Sequence, residues 1–267
     1  MTELTDKYIV CCDSGVGGIP VFAELRRLMP YANLCFFADT AYAPYGDHSR
    51  EEILQRMLDN CAAWADMPLL AVVIACNTAT AAAIKELRYQ LQVPVLGIEP
   101  ALKPAVLANK GGRIVILATA LTVRENKLKH LMEQYGQGKN ITTLACSGLM
   151  ELVEEDPNSE AVRDYLQEKL APYAADMEGI VLGCTHYTYL KPQLKRLFPH
   201  VQLFDGALGL AKNMQRTVLQ MPYLTLPDED WQGHDRFICT ESDPAAYAAK
   251  IAHLREFYKL YLQQEGM

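Results

Sequence analysis

Apolar residues in this chain gather in short unbroken runs separated by longer amphipathic stretches. Runs at about 8–12, 34–37, 69–75, 93–97, 113–118, 141–145, 179–183, 201–204 and 236–239 read as strands. They are solid rather than alternating, as in parallel strands buried on both faces. A first helix is predicted from near Gly17-Gly18 to Met29, with Val21, Phe22, Leu25 and Leu28 on one face and Pro30 ending it. A second opens on Ser49-Arg50-Glu51-Glu52, the pattern of a capping box. It carries Ile53, Met57, Cys61 and Trp64 at helical spacing, which makes Cys61 a core residue. Further helices are predicted over 79–91, 190–198 and 250–262, the last turning Ile251, Leu254, Phe257, Tyr258 and Tyr261 inward. The stretch Leu226-Pro227-Asp228-Glu229-Asp230 reads as a surface loop. Strands alternating with helices predict an α/β protein with mainly parallel sheets.

The pattern also repeats. Val72-Val73-Ile74-Ala75-Cys76-Asn77-Thr78 recurs in type as Ile180-Val181-Leu182-Gly183-Cys184-Thr185-His186, an offset of 108 residues (184 − 76). The strand before Ser14 pairs likewise with the strand before Thr119, an offset of 105 (119 − 14). Near-equal offsets point to one duplicated unit. The expected fold is two similar three-layer α/β domains, related by a pseudo-two-fold axis, with the active site between them. The first domain comprises residues 1–98 plus 208–267 and the second 99–207. Ligands of parallel α/β sheets bind beyond the carboxyl ends of the strands. Each repeated cysteine falls there, where a strand passes to a helix N-terminus that holds anions and acidifies thiols.

Composition narrows the function class. The 267 residues are half hydrophobic and about a fifth charged, with a net charge of −7. Such a chain has no electrostatic footprint for nucleic acid. No window suits a membrane span and the first residues lack the features of a signal peptide, so a cytoplasmic protein with no membrane partner is expected. Eight cysteines stand at 11, 12, 35, 61, 76, 146, 184 and 239 with no C-x-x-C pair. Free thiols are expected, with Cys11, Cys12, Cys35, Cys61, Cys146 and Cys239 buried and structural. No metal cluster and no lysine motif for a pyridoxal Schiff base is apparent, so neither metal nor cofactor is expected.

Asp13-Ser14-Gly15-Val16-Gly17-Gly18 follows a strand and opens a helix, with glycines for a tight turn and N–H groups for an anion. Alone it is equally a simple βα turn, and Ala43-Pro44-Tyr45-Gly46 alone is a Pro/Gly turn. Taken with Asp39-Thr40, Ala75-Cys76-Asn77-Thr78-Ala79 and Gly183-Cys184-Thr185-His186-Tyr187, these motifs resemble, in order and spacing from about residue 8 to 262, the glutamate racemases of the cofactor-independent aspartate/glutamate racemase superfamily. The resemblance implies that Cys76 and Cys184 are catalytic acid/bases. It implies that Asp13, Ser14, Tyr45, Gly46, Asn77, Thr78, Thr185 and His186 hold the substrate or tune the thiols. Glu154 matches more loosely, and Thr119, the repeat counterpart of Ser14, is a further candidate. The resemblance also implies a small-molecule substrate, D-glutamate for peptidoglycan, and a homodimer. Two departures stand out: Cys11-Cys12 replaces bulkier apolar residues, and Thr188 stands where proline is usual.

Elementary chemistry asks for the same groups. Racemisation takes an α-proton from one face of the carbon and returns one on the other, so two acid/bases are needed, each about 3–3.5 Å from it. Asp13 for Cys76 and His186 for Cys184 are the candidate proton partners, and their difference predicts unlike pH dependence in the two directions. Hydroxyl, amide and backbone donors must stabilise charge building on the substrate carboxylate. Three other readings remain at this point: a racemase of another amino acid such as aspartate, a non-catalytic carboxylate-binding protein, and a thiol hydrolase, which needs only one nucleophile.

Overall fold

The computed structural model describes residues 2–64, 67–124, 126–222, 224–228 and 230–267. The strands, in chain order, are β1 (Thr2–Glu3), β2 (Tyr8–Asp13), β3 (Asn33–Ala38), β4 (Leu69–Ile74), β5 (Val95–Gly97) and β6 (Arg113–Ala118), then β7 (Ile141–Ala145), β8 (Met177–Leu182), β9 (Gln202–Phe204), β10 (Leu224–Thr225) and β11 (Asp235–Cys239). The helices are α1 (Ile19–Leu28), α2 (Arg50–Trp64), α3 (Asn77–Gln90), α4 (Leu102–Ala108), α5 (Ala120–Arg124) and α6 (Asn126–Tyr135), then α7 (Leu149–Glu155), α8 (Glu160–Leu170), α9 (Lys191–Leu197), α10 (Ala207–Leu219) and α11 (Pro244–Glu265). Each apolar run forms a strand, and the pairing throughout is parallel. β1 and β10 add a short parallel pair that the hydropathy pattern is too brief to show.

The chain divides into two compact units, residues 1–98 with 207–267, and residues 99–206. The sheet of the first runs β11-β3-β2-β4-β5 and that of the second β7-β6-β8-β9. Apart from the added edge strand β11, the strand order is the same in each. The match reaches single residues: β2 pairs with β4 with a register shift between Tyr8 and Ile9, and β6 with β8 with one between Arg113 and Ile114. Both shifts lie at the first residue of the equivalent strand.

In the first unit β3 is buried at every position, and β2 and β4 at all but their first. This explains their unbroken apolar character. The capping box forms as its sequence predicts, with Ser49 N donating to Glu52 at 2.8 Å and Glu52 N to Ser49 Oγ at 3.2 Å. Ile53, Met57, Cys61 and Trp64 are buried in line. Of the loop at 226–230, Leu226, Asp228 and Asp230 are exposed and Glu229 lies outside the described residues.

Helix starts differ from the pattern at α3 and α11, and one further segment is a 3-10 helix. α3 starts at Asn77, directly after Cys76, because the cysteine itself caps it. Residues 185–190, mostly unassigned by the pattern, form a 3-10 helix ahead of α9, which falls within the predicted 190–198 and holds Pro192 in its first turn. This segment holds β-branched and aromatic side chains, all buried, which are poor α-helix formers. α11 begins at Pro244, where Asp243 caps it by accepting from Ala246 N at 2.9 Å. Its first residues are small and carry no apolar stripe. Among the described residues, no helix is long and apolar enough to cross a membrane.

Candidate active site

Parallel strands bring their carboxyl ends to one edge, so in the first unit β2, β3 and β4 deliver Asp13, Asp39 and Cys76 side by side. Backbone bonds fix the exits: Ala75 N donates to Cys12 O and Asp39 N to Asp13 O, both at 2.8 Å. The Asp13 carboxylate turns the loop after β2, accepting from Gly15 N at 3.1 Å and from Ser14 Oγ at 3.4 Å. Gly15 and Gly18 both have negative φ, −159° and −78°, so a left-handed turn is not their role here. Space is what Gly18 provides. A Cβ there would stand 2.7 Å from Asp13 Cβ and 3.0 Å from Ala75 Cβ. The start of α1 thus packs directly onto the two strand exits.

Cys76 is 7 % exposed and shares an apolar cluster with Cys12, Tyr45 and Met57. Its Sγ accepts from Ala79 N at 3.5 Å, so the sulfur occupies the cap of α3, where the helix dipole favours a thiolate. Asn77 and Thr78 form the first turn and are buried. The Oδ1 of Asn77 is buried with no hydrogen-bond partner within the chain.

Tyr45 lies in a one-turn 3-10 helix after a cis Ala43-Pro44 bond. Its hydroxyl donates to Asp39 Oδ2 at 2.5 Å. Burial foremost keeps this phenol neutral. The side chain therefore braces the loop, and Gly46 beside it is half-buried. Asp39, fully buried, also accepts from Arg56 Nε at 2.7 Å and Asn60 Nδ2 at 3.0 Å. Burial opposes its charge, but the donors from Arg56, Tyr45, Asn60 and Thr240 outweigh this and hold the carboxyl below the usual range. Sequence reading gave no role to Arg56, Asn60 or Thr240. The one available signal was the i, i+4 spacing of Arg56 and Asn60 on the helix that buries Met57.

The second unit presents an analogous edge. Gly183 N donates to Leu117 O at 2.7 Å, and Cys146 N to Ala118 O at 2.9 Å. A Cβ on Gly183 would stand 2.8 Å from Leu117 O, so glycine lets the two strand ends close up. Thr119 Oγ1 donates to Thr122 Oγ1 at 2.9 Å and accepts from Thr122 N at 3.2 Å, turning the chain into α5. Cys184 is 6 % exposed and, unlike Cys76, makes no side-chain cap. Its partner is a side chain: Sγ lies 3.9 Å from His186 Nδ1. The other ring nitrogen, Nε2, meets Glu154 Oε1 at 2.9 Å, with Glu154 on α7. Burial disfavours the imidazolium, but Cys184 and Glu154 outweigh it and raise the His186 pKa well above that of a free histidine. Thr185 and Thr188 are buried alongside, and Tyr187 donates to Cys146 O at 3.0 Å.

Five of the other thiols are disfavoured as thiolates by their surroundings. Burial foremost pushes Cys11 and Cys12 far up, Cys35 to about 12, and Cys61 and Cys146 to about 11. They are neutral at physiological pH.

Known proteins resemble this chain in sequence and in fold. Residues 27–213 match the Asp/Glu/hydantoin racemase family. The glutamate racemase of Clostridium acetobutylicum is 40% identical over 220 residues, covering 81% of this chain and 86% of that protein. The crystal structure of Escherichia coli glutamate racemase, solved with L-glutamate and the activator UDP-MurNAc-Ala, superposes with a TM-score of 0.81 at 28% identity, covering 94% of this chain and 95% of that one. A Bacillus anthracis glutamate racemase isoform gives a TM-score of 0.82 at 27% identity, covering 97% and 95%.

Proposed function

The chain belongs to the Asp/Glu/hydantoin racemase family, and we propose that it interconverts L- and D-glutamate without a cofactor, by proton transfer through Cys76 and Cys184. The observation that carries this reading is the placement of one cysteine at the carboxyl end of the equivalent strand in each of two sheets of matching order. A carboxylate-binding protein has no use for two such thiols, and a thiol hydrolase needs one.

One cysteine starts as thiolate and takes the α-proton, while the other starts as thiol and delivers its own to the opposite face. Their roles exchange with the direction of reaction. The Cys76 thiolate is supported by the first turn of α3 and the Cys184 thiolate by the His186 imidazolium. Asp13 serves as the proton partner on the Cys76 side and His186, oriented by Glu154, on the Cys184 side. Ser14, Asn77, Thr78 and Thr185, with the Tyr45-Gly46 backbone, hold the substrate, the vacant Asn77 Oδ1 suiting its ammonium group. Thr119 keeps a supporting place at the end of β6. In this reading the protein is a cytoplasmic homodimer that supplies D-glutamate for peptidoglycan.

The test is incubation with L-glutamate in D₂O, following optical rotation and α-deuterium by NMR. Rotation falling to zero as deuterium enters Cα is the expected result. Inertness toward glutamate, or exchange of aspartate alone, would overturn it.

A further inference from the structure

The side chain of Thr240 has no part in the chemistry proposed above, yet it occupies a junction. β11 pairs with β3 so that Cys239 stands opposite Ala38. Both chains leave the sheet at the same edge, and Thr240 arrives beside Asp39. Thr240 N donates to Ala38 O at 3.2 Å. Its hydroxyl then works in both directions, donating to Asp39 Oδ1 at 2.9 Å and accepting from Ala41 N at 3.1 Å. A hydroxyl offers one donor and two acceptor sites, so both kinds of capacity are used.

Asp39 is the hub of a converging set. Its two oxygens receive Tyr45, Arg56, Asn60 and Thr240, reached from positions 6, 17, 21 and 201 residues away. The 39–48 segment is held at other points too. Tyr42 stacks on His48 with ring centroids 4.2 Å apart, and the Arg56 guanidinium lies 5.5 Å from the Tyr42 ring centre. Every one of these holds comes from within the segment or from α2 except the one from Thr240. Thr240 alone among these partners joins the segment to the end of the last strand.

We propose that Thr240 is a positioning residue for the racemisation: by bonding both the Asp39 carboxylate and the Ala41 amide, it fixes the loop that presents Tyr45 and Gly46 to the substrate. This rests on the reading of that loop as substrate-holding. The distinction from general stabilisation is chemical. Valine matches threonine in shape but can make neither bond, and serine lacks the methyl group but can make both.

The experiment compares wild type, Thr240→Val and Thr240→Ser as full chains, by hydrogen exchange of the 39–48 peptide and by KM and kcat for L-glutamate. In Thr240→Val, exchange should quicken and KM rise by about tenfold, the scale of one lost hydrogen bond, with kcat moving less. Thr240→Ser should restore both. An active wild type whose valine variant keeps its KM and exchange rate overturns the proposal alone, as does a serine variant that fails like valine. A wild type that exchanges no α-proton overturns the glutamate reading and this role together. Should the valine variant not fold, Thr240→Ala, smaller and equally unable to make either bond, must quicken exchange and raise KM. Unchanged values there overturn the proposal.

Discussion

Glu154 meets His186 at 2.9 Å on the nitrogen that faces away from Cys184, so a carboxylate orients the ring whose other nitrogen lies 3.9 Å from the sulfur. Glu154→Gln keeps the shape and removes the charge. The His186 pKa should fall, and kcat in the direction that uses Cys184 as base should drop on the order of tenfold, part of the 10²–10⁴-fold that a general acid–base group contributes. A raised folded-state pKa adds stability that is complete below the free value of about 6.5 and fades as pH rises through the raised one. The variant should therefore lose most stability at and below neutral pH and least in alkali. Kinetic pH profiles and urea melts at several pH values check both statements.

Cys76→Ser and Cys184→Ser should each abolish racemisation while leaving the fold intact. Each residue is more than nine-tenths buried, and serine is smaller, so far-ultraviolet dichroism should be unchanged. Full activity in either variant, measured by deuterium entry, would sink the two-thiol mechanism.

The strand pattern, both cysteines and the polar residues beside them are legible in the sequence because they are local: an apolar run, then the residues that end it. The α3 cap is less so: the pattern starts that helix at 79, whereas the Cys76 sulfur caps it two residues earlier, at Asn77. What the sequence hides is set by distance or by context. The Asp39 cluster unites residues up to 201 positions apart. The 3-10 turn at 185–190 depends on burying His186, Tyr187 and Tyr189 together, which no periodicity displays. The α11 start lies in small residues without an apolar stripe, although Asp243-Pro244 carries the capping signal.

Asp39→Asn should destabilise the first unit by about 1–3 kcal/mol, because the amide puts a donor in place of one acceptor oxygen among the donors Tyr45, Arg56, Asn60 and Thr240. For the wild type the sign runs the other way from His186. A carboxyl held below its usual range stabilises the fold above the free value and loses that contribution as pH falls through the depressed one. Acid unfolding should be steeper in wild type than in Asp39→Asn, as urea melts between pH 7 and pH 3 would show.

Gly18→Ala asks for 2.7 Å between two β-carbons, and Gly183→Ala for 2.8 Å between a β-carbon and a carbonyl oxygen. Each should cost about 1–3 kcal/mol through backbone displacement. Gly18→Ala should lower kcat as well, since the displaced neighbour is Asp13. Thermal melts and rates on the purified variants test this, and a Gly18→Ala protein with wild-type melting and kcat would refute it.

The two cysteines have unlike support, a helix cap for Cys76 and an ion-paired imidazole for Cys184. L- and D-glutamate have equal free energies in an achiral solvent, so the equilibrium constant is one at every pH. The specificity constants for the two enantiomers must then coincide throughout the titration of both halves. Chemical asymmetry between the halves is left a single outlet: it can shift KM and kcat together, so that the enantiomer held more tightly is also the one that turns over more slowly. A frame built twice and furnished differently thus sets which enantiomer occupies the resting enzyme, and never which one prevails in solution.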